Sequence, residues 1–515
     1  MLTCDVAVVG GGHNALVAAT LLAREGLDVL VLERLPHVGG AAISARPWPD
    51  VDARLSRFSY LVSLFPDELV RDLGLDLELR SRSTASCTPY EGPDGPAALL
   101  VETTPGEATR ASFRALTGSD DELDAWEDFG AEVAAVAGVL APTLLEPLPR
   151  EGDVRDRVRV AVGQQIWADL VDEPLGRAIE RRFTHDLVRG VVATDALIGT
   201  WTSLDDAARA ANRCFLYHVV GNGTGEWRVP VGGMGAVSAE LERAAREAGA
   251  TLRTGHEVTR VEPGPTSVRV SALDGAGHEV VVEARHVLCG AAPAVLADLL
   301  GAPRPATPKG SQLKVNLLVS RLPRLRSGVD PRLAFAGTFH VGESMSRLEA
   351  LYRDPASGLG TAGELYCHTL TDRSILGPEL AASEAQTLTY FGLHTPYDDL
   401  LAPGAREVAY EAFVAALDAH LAEPLADVLL HAEVKSPADI EAELAMPGGH
   451  IFHGDLDWPW LPDDAPADTP GARWGVATAH DRILLCGSGA RRGGAVSGVA
   501  GHNAARALLE ELGGV

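Results

Sequence analysis

Residues 4–34 read CDVAVVGGGHNALVAATLLAREGLDVLVLER, and this stretch contains a strand, a turn, a helix and a second strand in that order. Residues 4–9 are nearly all apolar and include β-branched side chains, as a buried parallel strand requires. Residues 16–26 have the spacing of an amphipathic helix, and residues 28–32 form a second apolar run. The pattern predicts a βαβ unit at the start of an α/β fold.

The turn GGGHNA of residues 10–15 fits the pattern G-x-G-x-x-A. Gly10 makes the tight turn, Gly12 lets the backbone approach a pyrophosphate, and Ala15 keeps the helix close to the sheet. The first N–H groups of the helix have no partner within it and are free to bind phosphate oxygens. The turn therefore predicts a dinucleotide site.

The identity of the dinucleotide follows from two later features. Glu33 ends the second strand about 20 residues on, where a carboxylate accepts the two ribose hydroxyls. That acid favours a free 2′-hydroxyl over a 2′-phosphate. The sequence VGGAA of residues 38–42 fits a second loop beside the pyrophosphate, which is a feature of FAD sites more than of NAD sites. The sequence therefore predicts FAD as the cofactor.

Length and composition indicate an ordinary globular protein. The chain has 515 residues, enough for two domains, with 46% hydrophobic and 22% charged residues. Its 44 Lys and Arg against 71 Asp and Glu give a net charge of −27. This charge argues against nucleic acid as a partner and against electrostatic docking on anionic membranes.

Six scattered cysteines without a C-x-x-C pair suggest neither a redox disulfide nor a zinc site. The first strand begins at residue 4, which leaves no room for a signal or transit peptide, so we expect a cytoplasmic protein. The longest apolar run, residues 133–145, is too short to span a bilayer and contains Pro142. We expect no integral membrane segment. A core helix is the favoured interpretation of this run, with a membrane-dipping or lid segment as the alternative.

Further along the chain, the nucleotide-binding pattern returns twice. WRVPVGGMG at residues 227–235 opens a helix and further strands, and the apolar run 482–486 precedes a glycine-rich loop and a closing helix over residues 495–512. The intervening stretches mix short strands with long helices. We predict an FAD-binding domain made of residues 1–75, 226–300 and 446–515, and a substrate domain made of residues 76–225 and 301–445.

These motifs together resemble a known family, the FAD-dependent phytoene desaturase-like oxidoreductases within the amine-oxidase superfamily. The resemblance covers essentially the whole chain. It rests on six segments, GGGHNA (10–15), GGAA (39–42), VGGMG (231–235), HTLTD (368–372), PGGHIFHG (447–454) and the glycine-rich loop 487–498. It implies a Rossmann-like, glutathione-reductase-type FAD-binding domain with an interleaved α+β substrate domain.

The resemblance also implies which residues meet FAD at the pyrophosphate, ribose, adenine and isoalloxazine. They are Gly10, Gly12, His13, Asn14, Ala15, Glu33, Arg34, Gly39, Gly40, Ala41, Val258, Gly487, Gly493, Gly494, Ala495 and Val496. Where the family often has His-Pro and a third glycine, this chain has Arg491-Arg492 and Ala495. A closing helix at this point would direct its positive end to the flavin's pyrimidine edge and stabilise negative charge there.

Lys314 is the first candidate for chemistry. It lies in the apolar run LKVNLLV of residues 313–319, where burial of a lone charge would be costly. In the superfamily that the chain resembles, a lysine at the matching place holds a water against flavin N5. We therefore predict that Lys314 positions water or tunes the flavin. An exposed strand lysine that reaches solvent is the alternative.

His450, His453 and Asp455 form a polar cluster before the last flavin strand, and we include the two histidines among the catalytic candidates. A substrate-side hydrogen-bond donor or proton shuttle and a structural loop histidine are both open interpretations. Metal binding fits the spacing, but no open site or second shell accompanies it, so no metal is predicted. Four further residues of the substrate domain could supply a general base: His340, Glu364, Tyr366 and His368.

The function implied by the resemblance is dehydrogenation or desaturation of a small apolar or amphipathic molecule by hydride transfer to flavin N5. One alternative is a flavin-dependent amine oxidase, which predicts an aromatic pair facing the flavin. Others are a flavin-bound isomerase and a regulatory protein with little net redox turnover. The sequence leaves open the substrate, the electron acceptor, any use of NAD(P)H and the oligomeric state.

Overall fold

The structure is a computed structural model that describes residues 1–513. Its strands, in chain order, are β1 (Leu2–Val9), β2 (Val29–Leu32), β3 (Ser44–Ala45), β4 (Leu55–Ser56), β5 (Leu79–Arg80), β6 (Thr84–Gly92), β7 (Gly95–Glu102), β8 (Val229–Pro230), β9 (Thr251–Arg253), β10 (Glu257–Pro263), β11 (Val268–Leu273), β12 (Glu279–Cys289), β13 (Leu313–Val319), β14 (Thr338–Val341), β15 (Gly363–Tyr366), β16 (Gln386–Gly392), β17 (Leu429–Lys435) and β18 (Ile483–Leu485).

Its α-helices are α1 (His13–Arg24), α2 (Asp67–Leu73), α3 (Glu107–Thr117), α4 (Asp121–Leu140), α5 (Glu151–Val162), α6 (Gln165–Trp167), α7 (Leu175–Arg182), α8 (Asp186–Thr194), α9 (Ala210–Val219), α10 (Met234–Glu247), α11 (Pro293–Leu299), α12 (Pro331–Ala334), α13 (Met345–Arg353), α14 (Pro378–Ala382), α15 (Ala405–Asp418), α16 (Pro437–Leu444), α17 (Pro470–Trp474) and α18 (Val499–Glu511).

The first large sheet has the strand order β10-β11-β12-β1-β2-β9, with β18 beside β12. β1 runs parallel to both β2 and β12, and its residues Val6, Ala7 and Val8 are fully buried, as a strand covered on both faces requires. Helices α1, α10 and α18 pack together against one face. All seven strands fall within the three segments predicted for the FAD-binding domain. The predicted α/β fold class is confirmed.

The second large sheet has the order β17-β13-β16-β15-β14-β6-β7 and is antiparallel except where β14 meets β6. All seven strands fall within the two segments predicted for the substrate domain. Helices between α3 and α9 form a separate layer, whose core contains Leu123, Phe129, Phe183 and Phe215. The two sheets are thus formed by two sets of segments that alternate along the chain.

Residues Asp121–Leu145 form the one helical segment among residues 1–513 that is long and apolar enough to cross a membrane by length and composition. The helix begins twelve residues before the apolar run at 133–145, and Leu123 and Phe129 are buried in this first part. Phe129, Val133 and Leu140 are buried against neighbouring helices, which is also the pattern of a core helix.

Two element boundaries differ from the sequence-based expectation. The closing helix α18 begins at Val499 and not at residue 495, because Ala495 and Gly498 adopt left-handed backbone conformations with φ of 57° and 70°. The hydroxyl of Ser497 accepts the N–H of Val499 at 3.3 Å. The second difference concerns residues 279–290, where the sequence predicts two strands, 279–282 and 285–290. The structure has one continuous strand, β12, because β11 pairs with its first half and β18 with its last three residues.

Candidate functional site

A cavity of about 340 Å³ is lined by residues of both large sheets. One end lies at the carboxyl ends of β1 and β2, where parallel α/β sheets bind their ligands. The other end is lined by side chains from the second sheet and from the helical layer, among them Lys314, Glu364 and Asp195. The cavity therefore connects the predicted dinucleotide site to the predicted substrate domain.

The turn after β1 leaves an open space in front of α1. Gly12 precedes the helix with a φ of −68°, a value that any residue adopts, and a Cβ placed there would meet no atom within 4 Å. Neither the backbone nor the packing therefore requires a glycine at this position. A side chain at Gly12 would instead occupy space within the cavity, where a ligand's pyrophosphate would approach the backbone. The observation fits a bound dinucleotide.

The N-terminus of α1 is suited to an anion. Its first turn contains no acidic residue, and the free N–H groups at this end carry the positive end of the helix dipole. The second glycine loop packs directly on the first, because the N–H of Gly39 donates to the Gly11 carbonyl at 2.8 Å. A Cβ at Gly40 would lie 3.3 Å from the Cα of Gly12. Two backbone loops thus border the same anion site.

Glu33 is fixed at the end of β2, and only 8% of its surface is exposed. One carboxylate oxygen accepts the N–H of Gly11 at 2.6 Å and the other accepts the N–H of Leu35 at 2.7 Å. Each oxygen keeps a second lone pair for a ligand hydroxyl. Arg34 and Val258 line the same end of the cavity.

The C-terminal loop contacts the first turn of α1. The ring Nε2 of His13 lies 3.2 Å from the Ala495 carbonyl, and the side-chain amide of Asn14 donates to the Gly493 carbonyl at 3.5 Å. All but three of the residues predicted to meet FAD line the cavity. The three that do not are Gly39, Gly493 and Gly494, which pack against other parts of these loops.

Arg492 has a structural environment. Its side chain is 2% exposed, and its guanidinium donates to the carbonyls of Pro459, Thr143, Leu144 and Glu146 at 2.6–3.4 Å. Burial lowers the pKa of Arg492 to about 10, which leaves it charged at neutral pH. The side chain of Arg492 therefore connects the glycine-rich loop 487–498 to the residues that follow α4. It also connects this loop to the segment 458–460, which contains two tryptophans.

Lys314 is the opposite case. Its side chain is 1% exposed, and its Nζ has no hydrogen-bond partner within residues 1–513. Nζ lies 4.1 Å from the centre of the Tyr60 ring. Burial lowers the pKa of Lys314 well below its usual value, and the charge of Glu433 opposes this only in part. The amino group faces the cavity and does not reach the outer surface.

A chain of polar side chains continues from Tyr60 along the cavity wall. The Tyr60 hydroxyl donates to a carboxylate oxygen of Glu364 at 3.4 Å. Burial, and next the charge of Asp195, raise the pKa of Glu364 to about 8. Burial also raises the pKa of Asp195. Arg82 lies in the same part of the cavity and donates to the Thr338 hydroxyl at 3.1 Å.

The two histidines of PGGHIFHG are placed differently. His453 lines the cavity, and its Nδ1 has no hydrogen-bond partner among residues 1–513. Its backbone has a φ of 63°, and burial lowers its pKa to about 4. His450 does not line the cavity, and its Nδ1 accepts the N–H groups of Phe452 and Gly454 at 3.3 and 3.4 Å. No cluster of three or more possible metal ligands occurs among residues 1–513.

Of the four other general-base candidates, only Glu364 lines the cavity. His340 contacts the Thr88 hydroxyl at 2.7 Å. His368 contacts Asp372, which also accepts the N–H of Gly232 at 2.8 Å and so connects the HTLTD and VGGMG segments. Sequence reasoning missed many cavity residues, among them Tyr60, Arg82, Asp195, His218, Thr338 and Phe391. They are isolated polar or aromatic residues without a motif.

Comparisons with known proteins agree with this geometry. A family model described as an NAD(P)-binding Rossmann-like domain matches residues 8–73, and one described as flavin containing amine oxidoreductase matches residues 163–319. An uncharacterized protein of Mycobacterium tuberculosis is 48% identical, over 98% of this chain and 97% of its own length. Pyridine nucleotide-disulfide oxidoreductase domain-containing protein 2 of Rattus norvegicus is 28% identical, over 99% and 94% respectively.

Two solved structures share the fold over almost the whole chain. A putrescine oxidase variant superimposes with a TM-score of 0.59 at 17% identity, and the match covers 99% of each chain. Cyclohexylamine oxidase from Brevibacterium oxydans gives a TM-score of 0.59 at 16% identity, with the same coverage. The open space at Gly12, the fixed carboxylate of Glu33 and these matches agree on FAD as the cofactor. The chain belongs to one family with the mycobacterial protein, and its residues 163–319 match the flavin containing amine oxidoreductase model.

Proposed function

We propose that this chain dehydrogenates a small apolar or amphipathic molecule at a C–H bond beside Lys314. FAD, when bound, supplies the acceptor of the hydride. The observation that carries the proposal is the unpartnered amino group of Lys314, which faces the same cavity as the dinucleotide turn. A buried polar group without a partner calls for a specific explanation, and a functional water is a common one.

Lys314 would handle the proton that accompanies the hydride. Burial lowers the pKa of Lys314 and so favours the neutral amine, which has a free lone pair. Such an amine accepts a hydrogen bond from a water, and that water takes the proton released by the substrate. Tyr60 fixes one side of the amine, since its ring lies 4.1 Å from Nζ.

The rest of the cavity wall suits an apolar substrate body. Trp227, Phe391, Ile198 and Phe452 line it and give it an apolar surface. A site without bulk water strengthens each polar interaction inside it and protects the reaction from competing proton transfers. We infer that these side chains orient the substrate and that the polar groups select its reacting end.

Amine oxidation is the second candidate, because the carboxyl groups of Asp195 and Glu364 line the cavity and could bind an ammonium group. Tyr60, Trp227 and Phe391 also give the cavity an aromatic lining. One face of Tyr60 is already covered by Lys314, however, so Tyr60 has only its other face to offer to an amine. We therefore rank this candidate below dehydrogenation.

Anaerobic reduction of the bound flavin by a panel of alcohols, saturated acids and amines tests the proposal. We expect at least one non-amine substrate to bleach the flavin, and Lys314→Met to slow bleaching by about 100-fold or more. Lys309→Met is the matched control, because Lys309 is exposed and paired with Asp398 at 2.6 Å. The Lys309→Met protein should bleach at the rate of the natural protein.

Two outcomes would contradict the proposal. Reduction by amines alone would favour the second candidate. An unchanged bleaching rate and an unchanged flavin absorbance spectrum in the Lys314→Met protein would remove the role assigned to this lysine. The spectrum is recorded without substrate, so it reports on the contact between residue and cofactor independently of turnover.

A further inference from the structure

Arg82 has an unusual environment for an arginine in a cavity wall. Its guanidinium makes one side-chain hydrogen bond, to the Thr338 hydroxyl at 3.1 Å, and lies 5.8 Å from the centre of the Tyr366 ring. No carboxylate oxygen of residues 1–513 lies within 4.0 Å of its nitrogen atoms. The group nevertheless lies deep enough for burial to lower its pKa. The residue is half-buried and lines the cavity, so its remaining donors are open to a ligand there.

Arginines elsewhere in the molecule show what such a group normally has. Arg182, which is also largely buried, donates to both Asp169 and Glu132. Arg492 is satisfied by four carbonyls. A guanidinium carries five N–H donors and stays charged in proteins, and protein acceptors hold the donors of both these arginines. The donors that Arg82 leaves free point to an acceptor that belongs to a ligand.

The acids near Arg82 do not fill that role. Neither Glu364 nor Asp195 lies within ion-pair distance of it. Burial and mutual repulsion favour the protonated form of Glu364, which is a hydrogen-bond donor as well. Burial raises the pKa of Asp195 as well. The raised carboxyl pKa values and the guanidinium of Arg82 thus favour an anionic group at this end of the cavity, where Arg82 and protonated Glu364 both offer it a donor.

We propose that the substrate carries a carboxylate that binds to the guanidinium of Arg82. This inference rests on the proposed function and deepens it. A guanidinium binds a carboxylate through two parallel hydrogen bonds, a geometry that a lysine cannot reproduce. The apolar body of the acid would lie along Trp227 and Phe391 and would bring a C–H bond towards Lys314. The substrate class is a small carboxylic acid with an apolar chain.

Three eight-carbon probes test the head group: octanoate, octanol and octylamine. Their affinities for the FAD-loaded protein are measured by isothermal titration calorimetry, which needs no turnover. We expect octanoate to bind at least about tenfold more tightly than either of the others, as one charge-assisted hydrogen bond would give. Arg82→Gln should remove this preference and leave octanol binding within about twofold.

Two variants keep the result interpretable. Arg82→Lys preserves the charge but not the paired donors, so we expect it to regain only part of the octanoate affinity. Arg80→Gln is the matched control, because Arg80 is two residues away and is exposed and paired with Glu78. It should bind octanoate like the natural protein. If Arg82→Gln fails to fold, the ranking of the three probes and the lysine variant decide the question.

Tighter binding of octylamine than of octanoate would overturn the inference and assign the site to a cation held by Asp195 and Glu364. Octanoate that binds no better than octanol, or not at all, would overturn it too. An equal loss of all three probes in Arg82→Gln would mean that Arg82 only supports the fold. The proposed dehydrogenation fails separately, if the flavin is bleached by amines alone or does not respond to Lys314→Met.

Discussion

The side chains of Lys314 and Arg492 are both almost fully buried, and their surroundings are opposite. Arg492 is 2% exposed, and carbonyls of four different residues accept its donors. Lys314 is 1% exposed, and no atom among the described residues accepts a hydrogen bond from its Nζ. Both lie near the predicted flavin. Only Lys314 lines the cavity.

The difference separates stabilising residues from functional ones. A buried donor that is satisfied by fixed carbonyls has no capacity left for a ligand, so Arg492 holds loops together. A buried donor without a partner costs stability, and such a cost is retained where a ligand or water completes the arrangement. The same reasoning applies to glycines, since the space beside a glycine can be filled by protein or left open.

The largest expected effect is on stability, from Arg492→Met. The substitution leaves the carbonyls of Thr143, Pro459 and Glu146 buried without donors, so we expect the free energy of unfolding to fall by about 3 kcal/mol or more. Urea unfolding of the FAD-loaded protein, followed by flavin release and by circular dichroism, measures it. Arg491→Met is the control, since Arg491 is more exposed and also pairs with Asp457 near the surface. An unchanged urea midpoint in Arg492→Met would contradict the stabilising role assigned to Arg492.

The next effect is on the pH dependence of stability, through Glu364. Its pKa is raised from 4.5 to about 8 in the folded protein, so the folded state binds more protons than the unfolded state between these values. Stability contributed by Glu364 is therefore lost as pH rises from about 5 to 8. Glu364→Gln keeps the shape without the titration. We expect its urea midpoint to exceed that of the natural protein by a margin that grows over this range.

Glu423→Gln supplies the opposite sign as a control. The guanidinium groups of Arg321 and Arg324 hold the pKa of Glu423 below its usual value, so its contribution is fully present above about pH 5. The variant should lower the urea midpoint by the same amount at pH 5 and at pH 8. A Glu364→Gln protein that behaves in this way would mean that Glu364 is ionised in the folded state.

The sequence predicted those features that are local in the chain. Strand, turn, helix and acid follow each other within residues 4–34, so the positions of Gly10, Gly12 and Glu33 could be derived without the fold. The cofactor and the α/β class followed from that unit and are confirmed. A functional role for Lys314 was predicted because the burial of a lone charge within an apolar strand is costly. Its catalytic role stays a prediction.

The remaining cavity residues come from distant segments, and no local pattern reports them. Tyr60, Asp195 and Glu364 meet only because β15 and the helical layer pack against the first domain. His450 and His453 are three residues apart in one motif, yet only the second lines the cavity. His453 has a left-handed backbone conformation, which non-glycine residues rarely signal in their sequence.

A smaller effect, on cofactor affinity, sharpens the comparison for glycines. In Gly12→Ala the new methyl group meets no protein atom within 4 Å, so apo stability should be unchanged or slightly higher while FAD affinity falls about tenfold or more. In Gly487→Ala the methyl group would lie 2.7 Å from the carbonyl carbon of Gly290. We therefore expect the stability of the apo protein to fall in this variant, unlike in Gly12→Ala. Equilibrium dialysis with FAD and urea unfolding of the apo forms separate the two. Equal losses of FAD affinity and stability in Gly12→Ala would contradict the open-space interpretation.

The smallest effect, and the most direct test of the contrast with Arg492, is the stability of Lys314→Met. Methionine has a similar length and no polar atom that needs a partner, so the variant removes a buried unpaired amine from the folded state. We expect the free energy of unfolding to rise by about 1 kcal/mol, measured by urea unfolding of the apo protein. Arg492→Met changes a buried cation to the same residue and should lower it. A loss of stability in both variants would mean that Lys314, like Arg492, holds the fold together, and its role in substrate oxidation would then have to be assigned to another group facing the cavity.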